Sequence, residues 1–140
     1  MDYQRFLDAQ EPVYADVVRE LRAGNKQSHW MWFVFPQLRD LGRSGTARFY
    51  GLENRTDAVL YLEHPVLGSR LKECTQLMLA YPDKAALEIL HEPDHIKFRS
   101  CMTLFKLADP QESMFQTALD VFYKGLPDEM TVQLLNRMGK

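Results

Sequence analysis

Residues 24–37 read GNKQSHWMWFVFPQ and contain both tryptophans of the chain, two phenylalanines, a methionine and a valine. From Trp30 to Phe35 every residue is apolar, so the segment has no solvent face whether it is wound as helix or extended as strand. It therefore belongs in the middle of a domain. At about 25 cal/mol per Å² of buried apolar area, its large side chains contribute several kcal/mol to folding. Buried indole N–H groups need partners, and paired aromatics often wall ligand pockets. Lys26, His29 and Gln37 are the polar ends of the stretch, and an aromatic floor with a polar rim is the pocket they suggest.

On either side of this stretch, apolar residues recur at spacings of three and four. Tyr3, Phe6 and Leu7 predict a short helix ending before Pro12. Val17, Val18 and Leu21 predict a second, closed by Gly24. Gly42, Ser44 and Gly45 mark a loop, with Ser44 or Thr46 as cap of a short helix through Tyr50. Thr56 is the expected N-cap of a helix that stops at His64-Pro65. Pro65 then suits the first position of a longer helix to about Ala80, with Leu67, Leu71, Cys74, Met78 and Tyr81 facing inward. Asp83, Asp94, Ser113 and Asp128 are read as start signals for four more, the second reaching Phe105. No window joins strict alternation to a hairpin turn, as a sheet would require. The expected fold is all-α: one compact multihelical domain of about seven to nine helices over residues 1–140.

Seventeen Lys and Arg against nineteen Asp and Glu leave a formal net charge of -2 over 140 residues. A balance of that kind supplies no broad basic field for nucleic acid or anionic membrane. The run from Trp30 to Phe35 is far too short to span a bilayer, and the charged N-terminus does not read as a secretion signal. Cys74 and Cys101 fall on apolar helix faces, as reduced thiols of a cytoplasmic protein would. Oligomeric state is not legible.

The helix beginning at Asp94 carries an anomaly. At about 3.6 residues per turn, Lys97 shares the face of Phe98, Cys101, Leu104 and Phe105. An inward lysine needs a carboxylate, a route to water or a ligand anion. Asp94 is one turn away and close enough to pair. A snorkelling lysine beside a capping aspartate accounts for this; so does a site in which Lys97 binds an anion or takes part in acid–base chemistry. The segment HEPDH at 91–95 matches the two-histidine zinc pattern in letters only, because Pro93 breaks the continuous helix that the pattern needs. The segment LGRSGTARFYG could hold a phosphate on backbone N–H groups around Ser44, or Ser44 could simply cap.

Several segments taken together resemble one family: HWMWFVFPQ, YLEHPVLGSRL, DHIKFRSCMTLF and FYKGLPDEMT. It is the family catalogued as domain of unknown function 1810, and the resemblance covers nearly the whole chain. Residues matching its pattern include Lys26, His29, Trp30, Trp32, Gln37, Ser44, Arg70, Asp94, Lys97 and Ser100. The resemblance implies a small bacterial-type helical domain and brings no reaction, metal, cofactor or partner with it. The expectation is a site for an anionic small molecule, such as a nucleotide or ADP-ribose derivative. His29, Asp94 and Lys97 are its candidate catalytic groups. Lys26, Trp30, Trp32, Gln37, Ser44, Arg70 and Ser100 are its candidate ligand-binding groups, with the tryptophans as a stacking wall and Arg70 assisting Lys97 with the anion. The competing expectation is a non-catalytic interaction module that uses the aromatic stretch as a partner surface.

Overall fold

The computed structural model describes residues 1–139 and contains, among them, ten α-helices and no strand. In chain order these are α1 (Gln4–Gln10), α2 (Tyr14–Arg22), α3 (Met31–Val34), α4 (Gly45–Phe49), α5 (Arg55–Glu63), α6 (Leu67–Leu79), α7 (Ala86–Leu90), α8 (Asp94–Ala108), α9 (Met114–Tyr123) and α10 (Glu129–Arg137). Seven of them have seven residues or more, while α3, α4 and α7 are short pieces of four or five. The all-α, single-domain reading holds.

The longest helix, α8, is the axis of the packing, with α5, α7, α9 and α10 against it. Its apolar stripe of Phe98, Cys101, Met102, Leu104 and Phe105 is fully buried. The helix α6 packs on α2, α5 and α9, and buries Leu67, Leu71, Cys74 and Met78 as expected. The central stretch wedges between these layers. Phe35 meets Phe98 edge-on with centroids 4.8 Å apart, and Phe98 also contacts Phe122 and Tyr123. Trp30, Met31, Val34 and Phe35 are each no more than 2% exposed.

After α3 the chain turns back on itself through a single parallel bridge between Leu38 and Leu52. Leu52 N–H donates to the Gln37 carbonyl at 2.9 Å, and Arg39 N–H donates to the Leu52 carbonyl at 2.8 Å. The two strands of chain approach so closely that a Cβ on Gly51 would lie 2.3 Å from Arg39 Cα. This clasp holds Gln37 and the Ser44 loop at one end of α8.

Several boundaries differ from expectation for local reasons. The cap of α5 is Asn54, whose side chain accepts from Asp57 N–H at 2.9 Å, and Thr56 lies inside the helix. Pro65 precedes α6, which starts at Leu67 with His64 Nδ1 accepting from the Val66 and Leu67 amides. Asp83 caps nothing; α7 starts after Ala85, whose N–H is taken by Glu88 reaching back. Asp94 is the first residue of α8 and not its cap, and α8 continues past Phe105 to Ala108. Ser44 and Asp128 do cap, accepting from Ala47 N–H and Thr131 N–H.

Candidate functional site

Three pieces of chain converge where the loop 25–30, the α7–α8 connection and the first turn of α8 meet. Glu20 sets the loop. It is 3% exposed on α2, and its Oε1 accepts from Gln27 N–H, Ser28 N–H and the Trp30 indole N–H, while Oε2 accepts from the Ser28 hydroxyl. Burial alone would raise the Glu20 pKa, but these donors more than reverse it and hold the carboxyl at about 2. The loop is thereby pinned around a permanent negative charge.

The pinned loop presents Lys26 inward. Its backbone N–H donates to the Ile89 carbonyl at 2.7 Å, tying the loop to α7. Its ammonium donates to the Ser28 carbonyl, lies 4.9 Å from the Trp30 ring centroid, and forms a 2.8 Å ion pair with Asp94 Oδ2. Side chains at this pair are 7% and 16% exposed, so the two charges are held almost out of water and depend on each other. Lys97, one turn along α8, is different. Its ammonium sits 4.0 Å from Asp94 Oδ1 and 5.3 Å from the Trp32 centroid, and has no hydrogen-bond acceptor among the described residues. The sequence-based pair Asp94–Lys97 is therefore the looser of two, and Asp94's close partner is Lys26.

A recess of about 340 Å³ opens at this point, walled by Lys26, His29, Trp32, His91, Asp94 and Lys97 among others. A second recess of about 510 Å³ is lined by Gln37, Arg43, Ser44, Ser100, Ile96 and Met130. Pro93 and Lys97 line both, so the recesses adjoin at those residues. Eight of the ten anticipated site residues thus fall on one two-part groove, with Lys97 at its waist. Trp30 is not a stacking wall: at 1% exposure it lies beneath the site, packed under Lys26, and only Trp32, half-buried with the Lys97 ammonium over its ring, lines the first recess. Arg70 is also elsewhere. Its guanidinium bonds Gln10 and Glu11 and lies over the Tyr14 ring, bracing α6 to the first two helices.

Of the remaining histidines, His91 lines the first recess and His95 follows it in the first turn of α8. His91 leaves α7 with φ of 69° and its Nε2 lies 2.7 Å from Asn25 Oδ1; His95 Nδ1 lies 2.9 Å from Glu92 Oε1. His91 and His95 thus belong to different helical segments, which removes the zinc-helix geometry. No cluster of three metal-ligating side chains occurs among the described residues. A larger recess of about 680 Å³ surrounds exposed Phe49, but none of the anticipated residues lines it. Two of its arginines are already committed: Arg39 to Glu53, and Arg5 to the carbonyls of Phe49 and Gly51.

Glu20 escaped the sequence reading. Its signal was present: it lies three residues after Val17 and beside Leu21, on the apolar side of α2.

The class of protein is now defined as a small all-helical domain with a charged groove at the start of its central helix. The family model described as a protein of unknown function, DUF1810, matches residues 1–135, and the chain belongs to that family. Among solved structures, the crystal structure of the conserved hypothetical protein Rv1873 from Mycobacterium tuberculosis is 48% identical. The match covers 96% of each chain with a TM-score of 0.94, so the same helical arrangement is found in a crystal. No curated protein matches the chain. Among the described residues no helix is long and apolar enough to cross a membrane.

Proposed function

We propose that this chain binds an anionic small molecule of the nucleotide or ADP-ribose kind in the two-part groove around Lys97. One observation carries the reading. Lys26 consumes the near oxygen of Asp94, while the Lys97 ammonium, half-buried at the meeting of both recesses, has no acceptor within hydrogen-bond distance among the described residues. A phosphate oxygen supplies such an acceptor. Arg43 and the Ser44 hydroxyl in the second recess add cationic and donor character, and the Trp32 face accepts a planar ring in the first. His29, exposed on the wall of the first recess, is the group available to exchange a proton with a bound ligand, which makes catalysis the natural extension of binding. A cytoplasmic setting suits the two buried free cysteines.

The interaction-module reading requires the aromatic stretch at the surface. Burial of Trp30, Met31, Phe33, Val34 and Phe35 weighs against it.

A thermal-shift series with nucleoside phosphates, ADP-ribose, NAD and sugar phosphates tests the proposal. A ligand at a hundred times its Kd stabilises the folded state by about 2.7 kcal/mol, which raises the melting temperature by several degrees. Lys97→Met should erase that rise while leaving the unliganded melting temperature nearly unchanged. Absence of any rise at millimolar concentration across the series would sink the proposal.

A further inference from the structure

We infer that Asp94 is a specificity residue whose Oδ1 accepts a hydroxyl of the ligand, so that the groove selects hydroxyl-bearing phosphates of the sugar-phosphate class over phosphate esters that lack hydroxyls. This deepens, and rests on, the anion-binding reading of the same groove. The two oxygens of Asp94 are not equivalent. Oδ2 is held at 2.8 Å by the Lys26 ammonium, which is itself anchored through Ser28 and the Glu20-bound loop. Oδ1 has no hydrogen-bond donor among the described residues; its nearest cation is Lys97 at 4.0 Å, beyond hydrogen-bond reach.

The pair with Lys26 holds one carboxylate oxygen in place, so the other is an oriented anionic acceptor at the edge of the recess. Beside it stands the Lys97 ammonium, a charged donor without an acceptor. An acceptor and a donor about 4 Å apart match a group that carries a hydroxyl hydrogen and an anionic oxygen a few bonds from each other, as a sugar phosphate does. A phosphate ester without hydroxyls, doubly ionised above its second pKa of about 6, satisfies only Lys97 and brings negative charge towards an acceptor oxygen that it cannot use.

The test compares ribose 5-phosphate with cyclopentylmethyl phosphate, a ring-matched ester of the same charge with no hydroxyl, by calorimetric titration of the full-length protein. Hydrogen bonds to charged groups predict a preference of about ten- to a hundredfold for ribose 5-phosphate. Asp94→Asn, which turns an N–H₂ towards one of the two partners, should reduce the preference below about threefold. That variant strands Lys26 and retains an amide oxygen, so the Lys26→Met/Asp94→Leu protein, with neither charge nor acceptor at the site, is the companion and should show the same collapse. Tight, equal binding of both esters by the wild type would overturn the role of Asp94 and leave the anion site standing. A preference that survives in the variants would assign selectivity to other groups and overturn it equally. Failure of both esters to bind at millimolar concentration would remove the anion site itself, and this inference with it.

Discussion

Replacing Glu20 by glutamine should cost this protein about 3 kcal/mol at neutral pH, and the cost should disappear in acid. The carboxyl is lowered from its ordinary 4.5 to about 2 because four donors bind its charged form against the opposing effect of burial. At about 1.36 kcal/mol per pH unit, that drop corresponds to about 3 kcal/mol of folding stability. A depressed folded-state value means the contribution is complete above about pH 4.5 and is lost as pH falls towards about 2. Glutamine keeps the shape and one acceptor but not the charge, so it lacks this titration. Urea unfolding followed by tryptophan fluorescence suits the assay, since the Trp30 indole N–H is itself one of the donors to Glu20. The wild type should exceed Glu20→Gln by about 2–3 kcal/mol at pH 7, with the gap narrowing steadily below pH 4.5. A gap under about 0.5 kcal/mol at pH 7, or one that stays constant down to pH 3, would refute the claim that a charged Glu20 organises the loop.

Three further outcomes follow from the same structure. Lys26→Met removes one member of the buried pair with Asp94 and should destabilise the fold by about 3–5 kcal/mol, measured by chemical denaturation; a loss below 1 kcal/mol would show the pair to be solvent-screened. Gly68→Ala would put a Cβ 2.0 Å from the Leu62 carbonyl oxygen, in backbone that cannot yield cheaply, so a loss of about 2–3 kcal/mol or failure to fold is expected. Burial holds the Cys74 thiol up at about 12 and raises Cys101 as well, so a thiol reagent such as Ellman's reagent at pH 8 should label neither cysteine in the native protein and both in denaturant.

Much of this molecule can be read from patterns that are local in the chain. The apolar run Trp30–Phe35 announces a core segment because it has no polar side, and it is core. Lys97 announces itself by breaking the apolar face of α8, and its lean over Trp32 towards Asp94 is what that anomaly implies. What was not legible is pairing across distance. Asp94 could be matched with Lys97 by helical spacing, but its closer partner Lys26 comes from a loop far earlier in the chain, and only packing brings the two together. Arg70 shows the converse. Its place in α6 is local, but the direction of its long side chain is decided by Gln10, Glu11 and the Tyr14 ring, which draw it away from the groove. Trp30 and Trp32 look interchangeable in sequence. One is swallowed by the Glu20 loop and the other keeps a face at the recess. Cap choice is the least determined level, since Asn54 and Thr56 are both competent and two residues apart.

A ligand groove at Lys97 can be observed by following the two indole N–H signals of ¹⁵N-labelled protein while ADP-ribose is added. The Trp32 indole and the backbone amides of Lys97 and Ser44 should shift with saturation, and the Trp30 indole, locked on Glu20, should stay nearly still. Shifts that cluster around Phe49 or Arg70 instead, or no shift at millimolar ADP-ribose, would contradict it.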